Sequence, residues 1–80
     1  MALAALSKTD VSKIMRAVDG LIHVPARRFW VDYDEEADVL YLSFRRPQHA
    51  TDSELRDDGV IIHTRGRETV GLTILDASKR

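Results

Sequence analysis

Asp32, Asp34, Glu36 and Asp38 stand at alternate positions of the stretch WVDYDEEADVLYLSF, the spacing of the oxygen ligands that open a calcium loop. Such a loop also needs a tightly turning glycine at its sixth position and a bidentate glutamate at its twelfth, and here those positions hold Ala37 and Ser43. Residues 39–44 are moreover committed to a β-rich run, so the stretch is expected to be a solvated acidic turn that holds no metal. Two neighbouring carboxylates such as Glu35 and Glu36 divide acid and base duties only when burial separates their pKa values, and the tip of a turn is wet. His23, His49 and His63 form neither a zinc-binding spacing nor the order of a Ser-His-Asp triad. No glycine-rich loop precedes a helix to cradle a phosphate, and no strand-turn-helix carries a nucleophilic serine. The residues therefore point to no catalytic group, no cofactor and no metal. Of the histidines, His63 is placed by the strand pattern near Ile61 on the uncovered sheet face; an incidental polar residue at a sheet rim is the reading preferred to a group that titrates across a contact between copies.

Arginine comes in close pairs: Arg27 with Arg28, Arg45 with Arg46, Arg65 with Arg67. The first two pairs fall at the open end of a hairpin, away from the acidic turn, and form a candidate basic patch of Arg27, Arg28, Arg45 and Arg46. Lys79 and Arg80 are expected to return to that end, with Arg65 and Arg67 facing the acidic turn instead. Asp52, Glu54, Asp57 and Asp58, in the loop that starts at the basic end, should cancel much of its field within a Debye length of about 8 Å. With 12 basic against 13 acidic residues and a formal charge of −1, nothing draws the whole chain to nucleic acid or to anionic lipid. Surface ion pairing is the reading preferred to nucleic-acid binding.

These residues are positioned by one helix and four strands. Val11, Ile14, Met15 and Val18 make one apolar stripe of a helix over about residues 8–19, with Ser7 and Asp10 spaced as a capping box, Thr9 as a rival cap, and Gly20 as a left-handed stop. Leu21 to Ala26, interrupted by Pro25, reads as a connector, and MALAALSK as a frayed start. Strands are expected at about 28–33, 39–45, 60–64 and 69–75. The short DEEAD connection demands an antiparallel hairpin. An even loop there sets Phe29 and Val31 on the face of Leu40, Leu42 and Phe44. An odd loop at RGRE, turned by Gly66, adds Val60, Ile62, Val70, Leu72 and Ile74 to it. Gly59 supplies a turn, and Gly71 marks a bulge or a close backbone approach. The expectation is a single α+β domain over residues 1–80, its N-terminal helix packed on that face of a four-stranded antiparallel meander. Trp30, Val39, Tyr41 and Ile61, with Leu75, are then left on a bare opposite face, which is the expected contact between copies; the alternative is that the connector Leu21 to Ala26 or the N-terminal tail folds over it.

YDEEADVLYLSF, ELRDDGVII and the closing VGLTILDASKR, taken together and in this order, resemble the family called domain of unknown function 2283 over about residues 30–80. The resemblance implies a compact, mostly antiparallel β domain of small prokaryotic proteins, with no established reaction or cofactor. The helix over 8–19 is an addition to that core.

A chain of 80 residues buries only about 60–65% of the surface its unfolded form exposes, and with no cysteine it has no disulfide to compensate. The expected protein is thus a cytoplasmic, non-enzymatic interaction module that self-associates, as a dimer in the first instance, and enters no membrane. The alternative is a regulatory partner of another protein, such as an antitoxin-like or nucleic-acid-associated component; a small hydrolase is the third reading.

Overall fold

The protein is described by a computed structural model covering residues 5–24 and 26–80; the readings of the opening MALA and of Pro25 lie outside those residues. The helix α1 spans Lys8–Ile22 and is followed by β1 (Trp30–Asp34), β2 (Val39–Ser43), β3 (Asp52–Leu55), β4 (Val60–Arg65), β5 (Glu68–Leu75) and a 3-10 turn at Ala77–Lys79. The chain is therefore α+β with an antiparallel sheet, but the sheet has five strands, in the order β1-β2-β5-β4-β3.

Ser7 caps α1: its Oγ accepts from the Asp10 peptide N at 3.1 Å while the Asp10 carboxylate accepts from the Ser7 N at 3.1 Å. These bonds, the backbone one foremost, hold the Asp10 carboxyl below its ordinary range. The helix does not stop at Gly20; Leu21 and Ile22 extend the apolar stripe, and His23 ends it. His23 Nδ1 lies 2.7 Å from the Asp19 carbonyl one turn back.

Register follows side-chain parity. Val31 pairs with Leu42 and Tyr33 with Leu40 across the four-residue turn, and Phe29 meets Phe44 edge-on at 6.4 Å, as the even loop requires. Val60 pairs with Ile74 and Ile62 with Leu72, so the odd register also holds. Its extra residue, however, lies inside β5: the turn is the two-residue Gly66-Arg67, and the register shifts between His63 and Thr64, opposite Val70. Gly66 takes φ 61° in that turn, which costs glycine nothing.

Two expectations fail for one reason each. The meander is broken because Asp52–Leu55 forms an additional edge strand on β4, and β5 inserts beside β2. The helix does not pack on its sheet, since no residue of α1 is buried and Met15 is 65% exposed. The connector explains this: Val24 and Ala26 lie beside Phe44 and Thr69 at the end of the sheet, which launches the helix off that end. The radius of gyration is 14.0 Å, against about 12 Å for a compact chain of this length. No helix among the described residues is long and apolar enough to cross a membrane.

Candidate functional site

The acidic turn is consumed by structure. Asp34 Oδ1 accepts from the Ala37 peptide N at 3.1 Å, closing the turn on itself. Asp38 takes φ 56° and accepts from the Tyr33 hydroxyl at 2.7 Å, the Ser78 N at 2.9 Å and the Ser78 hydroxyl at 2.7 Å. The Tyr33 bond, then the Ser78 bonds, lower the Asp38 carboxyl from its ordinary 3.8, and the same contact raises Tyr33 above 10.0. Asp38 is thus a clip between the first turn and the C-terminal 3-10 turn. Arg80 makes a second clip there, donating Nε and Nη2 to the Leu75 carbonyl at 3.0 and 2.7 Å and Nη1 to the Asp58 carbonyl. Among the described residues no three His, Asp or Glu side chains gather where they could hold an ion.

The polar chemistry lies on the sheet face that carries His63. Nδ1 of His63 is 3.0 Å from Ser53 Oγ and Nε2 is 2.7 Å from Thr73 Oγ1; in either neutral tautomer one nitrogen donates and the other accepts. Gln48 Nε2 donates to Ser43 Oγ at 3.2 Å beside them. Tyr41, Ser43, Gln48, His63 and Thr73 line an open depression of about 420 Å³. A serine beside an imidazole resembles an activated nucleophile, but here a hydroxyl, not a carboxylate, stands behind the ring, so nothing steadies an imidazolium. The carboxylate next to Ser53 in the chain, Asp52, accepts from the Ser53 N at 2.8 Å. The cluster can exchange hydrogen bonds with a small polar group, and it satisfies the hydroxyl of the buried Thr73. Ser53 and Thr73 were not singled out in the sequence; the one signal for Ser53 was its alternation with Leu55 in DSEL.

Trp30, Val39, Tyr41 and Ile61 share this same face. The loop after β2 folds over its middle, so close that a Cβ on Gly71 would meet the Gln48 amide and lie 2.8 Å from the Leu42 carbonyl. Trp30, Val39 and Ile61 are half-buried and Tyr41 is 42% exposed. Leu55, opposite Ile61 at the β3 edge of that face, is 65% exposed. Away from that edge the face expected to lie under α1 is the barer one: Val31 is 54% and Tyr33 50% exposed, and Leu40, Leu42, Val60, Ile62, Leu72 and Ile74 are only half-buried.

The charges are sorted by strand direction. Because β3 first carries the chain back toward the acidic turn, β4 starts there and the Gly66-Arg67 turn falls at the opposite end. Arg65 and Arg67 therefore join Arg27, Arg28, Arg45 and Arg46, while Lys79 and Arg80 lie at the acidic end, the reverse of the expected placement. At the arginine end Arg45 pairs with Glu68 at 3.8 Å, Arg46 lies over the Trp30 ring at 5.8 Å, and Arg65 donates to the His49 carbonyl at 3.3 Å.

Residues 30–78 match the model of a family described as Protein of unknown function (DUF2283), from the first residue of β1 into the final 3-10 turn, which leaves α1 outside the match. No curated protein and no solved structure matches the chain.

Proposed function

The chain belongs to the DUF2283 family, whose description names no activity, and from that premise we propose that it is a small interaction module whose working surface is its sheet, through which it self-associates. The observation that carries this is the missing core. Val70 is the one hydrophobic side chain fully buried among the described residues, and the chain exposes 6861 Å². A compact monomer of 9.1 kDa exposes about 4,900 Å². Part of that excess is apolar, the α1 stripe and Val31 among it, and association is what would remove it from water, because the hydrophobic contribution follows the apolar area buried. Val31, Leu42, Leu72 and Ile62, one from each of four adjacent strands, make the centre of the contact; the face of Trp30, Val39, Tyr41 and Ile61 is the less exposed alternative. Light scattering should return twice the 9.1 kDa chain mass down to micromolar concentration, and a concentration-independent monomer would remove the proposal.

A second reading is favoured by the gathering of Arg27, Arg28, Arg45, Arg46, Arg65 and Arg67 at one end of the sheet beside Trp30. It makes the module a regulatory component whose arginine end contacts a polyanion such as nucleic acid. Retention of a short single strand that weakens with salt and is lost with Arg45→Ala and Arg46→Ala together would support it. Retention unchanged by those substitutions would exclude that patch.

A further inference from the structure

Among the described residues two apolar surfaces lack a partner, and they match each other. One is the stripe of α1, where Val11 is 45%, Ile14 53%, Met15 65%, Val18 42% and Ile22 69% exposed. The other is the open sheet face centred on Leu42 and Leu72. We propose that the second copy supplies the cover: α1 of each chain lies across the open face of its partner's sheet, a reciprocal exchange that completes two cores. This rests on the self-association proposed above and names what associates with what.

Dimensions agree. Fifteen helical residues extend about 22 Å at 1.5 Å each, and five strands spaced about 4.8 Å apart are about 19 Å across. The helix spans the sheet once, with its polar back, Ser12, Lys13, Arg16 and Asp19, left to solvent.

Area agrees as well. The chain's 6861 Å² exceeds the compact-monomer expectation by about 2,000 Å². That is more than the roughly 800 Å² per partner of an ordinary interface and lies in the range of obligate dimers. A contact of bare sheet on bare sheet would leave both helix stripes wet, whereas exchange removes both surfaces from water in each chain.

The helix has its own need of a partner. Isolated helices of this length are marginal in water and draw most of their stability from a packed face. Its own sheet does not provide that face, because the connector residues Val24 and Ala26 line a hollow with Phe44 and Thr69 at the end of the sheet and no residue of the helix is buried. Only a crevice of about 690 Å³ separates Leu21 and Ile22 from Phe29. Carrying an element to an identical neighbour through such a connector is a low-cost route to a dimer.

The chain has no cysteine, so single thiols can be placed at will. Chains carrying Val18→Cys and chains carrying Leu72→Cys are mixed, unfolded together, refolded and oxidised. The expected product is the mixed disulfide, in at least five-fold excess over either disulfide between like chains. A Leu72→Cys pair joining to itself, in a sample of dimeric mass, would overturn the exchange while leaving self-association standing. A chain carrying both substitutions that closes within itself at high dilution would overturn it too, by returning the helix to its own sheet. A monomeric mass would remove both proposals. Should either thiol variant fail to fold, isotope-filtered NOE spectra of the unmodified chain, mixed labelled and unlabelled, decide the matter. Contacts between chains from the Val18 methyls to those of Leu72 support exchange, and the same contacts found only within a chain refute it.

Discussion

On one face of the sheet Gln48 reaches back over Gly71, Thr73 is buried, and His63 spans Ser53 and Thr73. On the other face Val31 and Tyr33 stand half in water beside a row of half-buried aliphatic side chains. The same five strands make both, so the difference does not lie in strand propensity. It lies in what the short remainder of the chain can reach. The loop between β2 and β3 is long enough to lap the polar face, and its glutamine suits the hydroxyls there. Among the described residues the one apolar element that suits the opposite face is α1, and it does not pack there. A chain this small covers the middle of one face with its own loop, and the proposal above gives the other face to association.

The largest test of that contrast is a charge on the open face. Leu72 pairs with Leu42 on one side and Ile62 on the other. Leu72→Asp should abolish the dimer and cost about 3 kcal/mol or more, since the burial of an unpaired carboxylate adds to the lost contact. Tyr41→Asp, on the lapped face, should leave the mass in solution unchanged and shift stability by under about 1 kcal/mol. Mass and urea midpoint measured together on both variants suffice, and a dimer lost with Tyr41→Asp but kept with Leu72→Asp would assign the faces the other way round.

Smaller effects are expected within the closed part of the sheet. Val70 fills the interior at the bulge and is 0% exposed; Val70→Ala should cost about 2 kcal/mol through lost contact and a residual cavity. Because this burial is complete within one chain, the cost should be the same at protein concentrations above and below the dimer's dissociation constant. Gly71→Ala should cost about 1–2 kcal/mol by overpacking, since the new methyl meets the Gln48 amide and sits 2.8 Å from the Leu42 carbonyl. Gln48→Ala in the same chain should recover only part of that loss in a double-mutant cycle, because the carbonyl stays where it is.

Parity was enough to read which side chains of β1, β2, β4 and β5 share each face from the sequence. Val31 with Leu42, Val60 with Ile74, and Trp30 with Tyr41 and Ile61 fall where a period of two puts them, because a slip of one residue would exchange the faces. The capping box of Ser7 and Asp10 was legible for the same local reason. What covers each face was not legible, since that depends on where connectors leave the sheet. Asp52–Leu55 was missed because three of its four residues are polar, as befits an exposed edge strand. That omission reversed the direction of β4 and β5, and with it the ends assigned to Arg65, Arg67, Lys79 and Arg80. The His63 cluster was half legible: the histidine was placed on its face, while Ser53 belonged to the missed strand.

The smallest expected effect belongs to neither face, and it separates clip from contact. Asp38 ties the first turn to Ser78 and Tyr33 at the acidic end. Its carboxyl is lowered from 3.8 by those bonds, the Tyr33 hydroxyl first, so the clip's contribution is complete above the unfolded value and is lost as pH falls through the lower folded one. Tyr33 behaves in the opposite sense. Raised above 10.0 by Asp38, its contribution is present below that pH and is lost as pH rises through the higher folded value. Asp38→Asn should therefore flatten the acid limb of a urea-midpoint profile, and Tyr33→Phe the alkaline one. Asp38→Asn should leave the dimer intact at neutral pH, because the Asp38 side chain points to the C-terminal turn and not across the open face. Tyr33 reaches both regions, with its hydroxyl on the clip and its ring on the open face beside Leu40. Since Tyr33→Phe loses the hydroxyl bond but keeps that ring, it should leave the dimer in place as well, whereas Tyr33→Ser should lose the same bond and weaken association besides. If Asp38→Asn alone dissociated the dimer, the acidic end would be part of the contact, and the division into one closed face and one shared face would have to be redrawn along the strands.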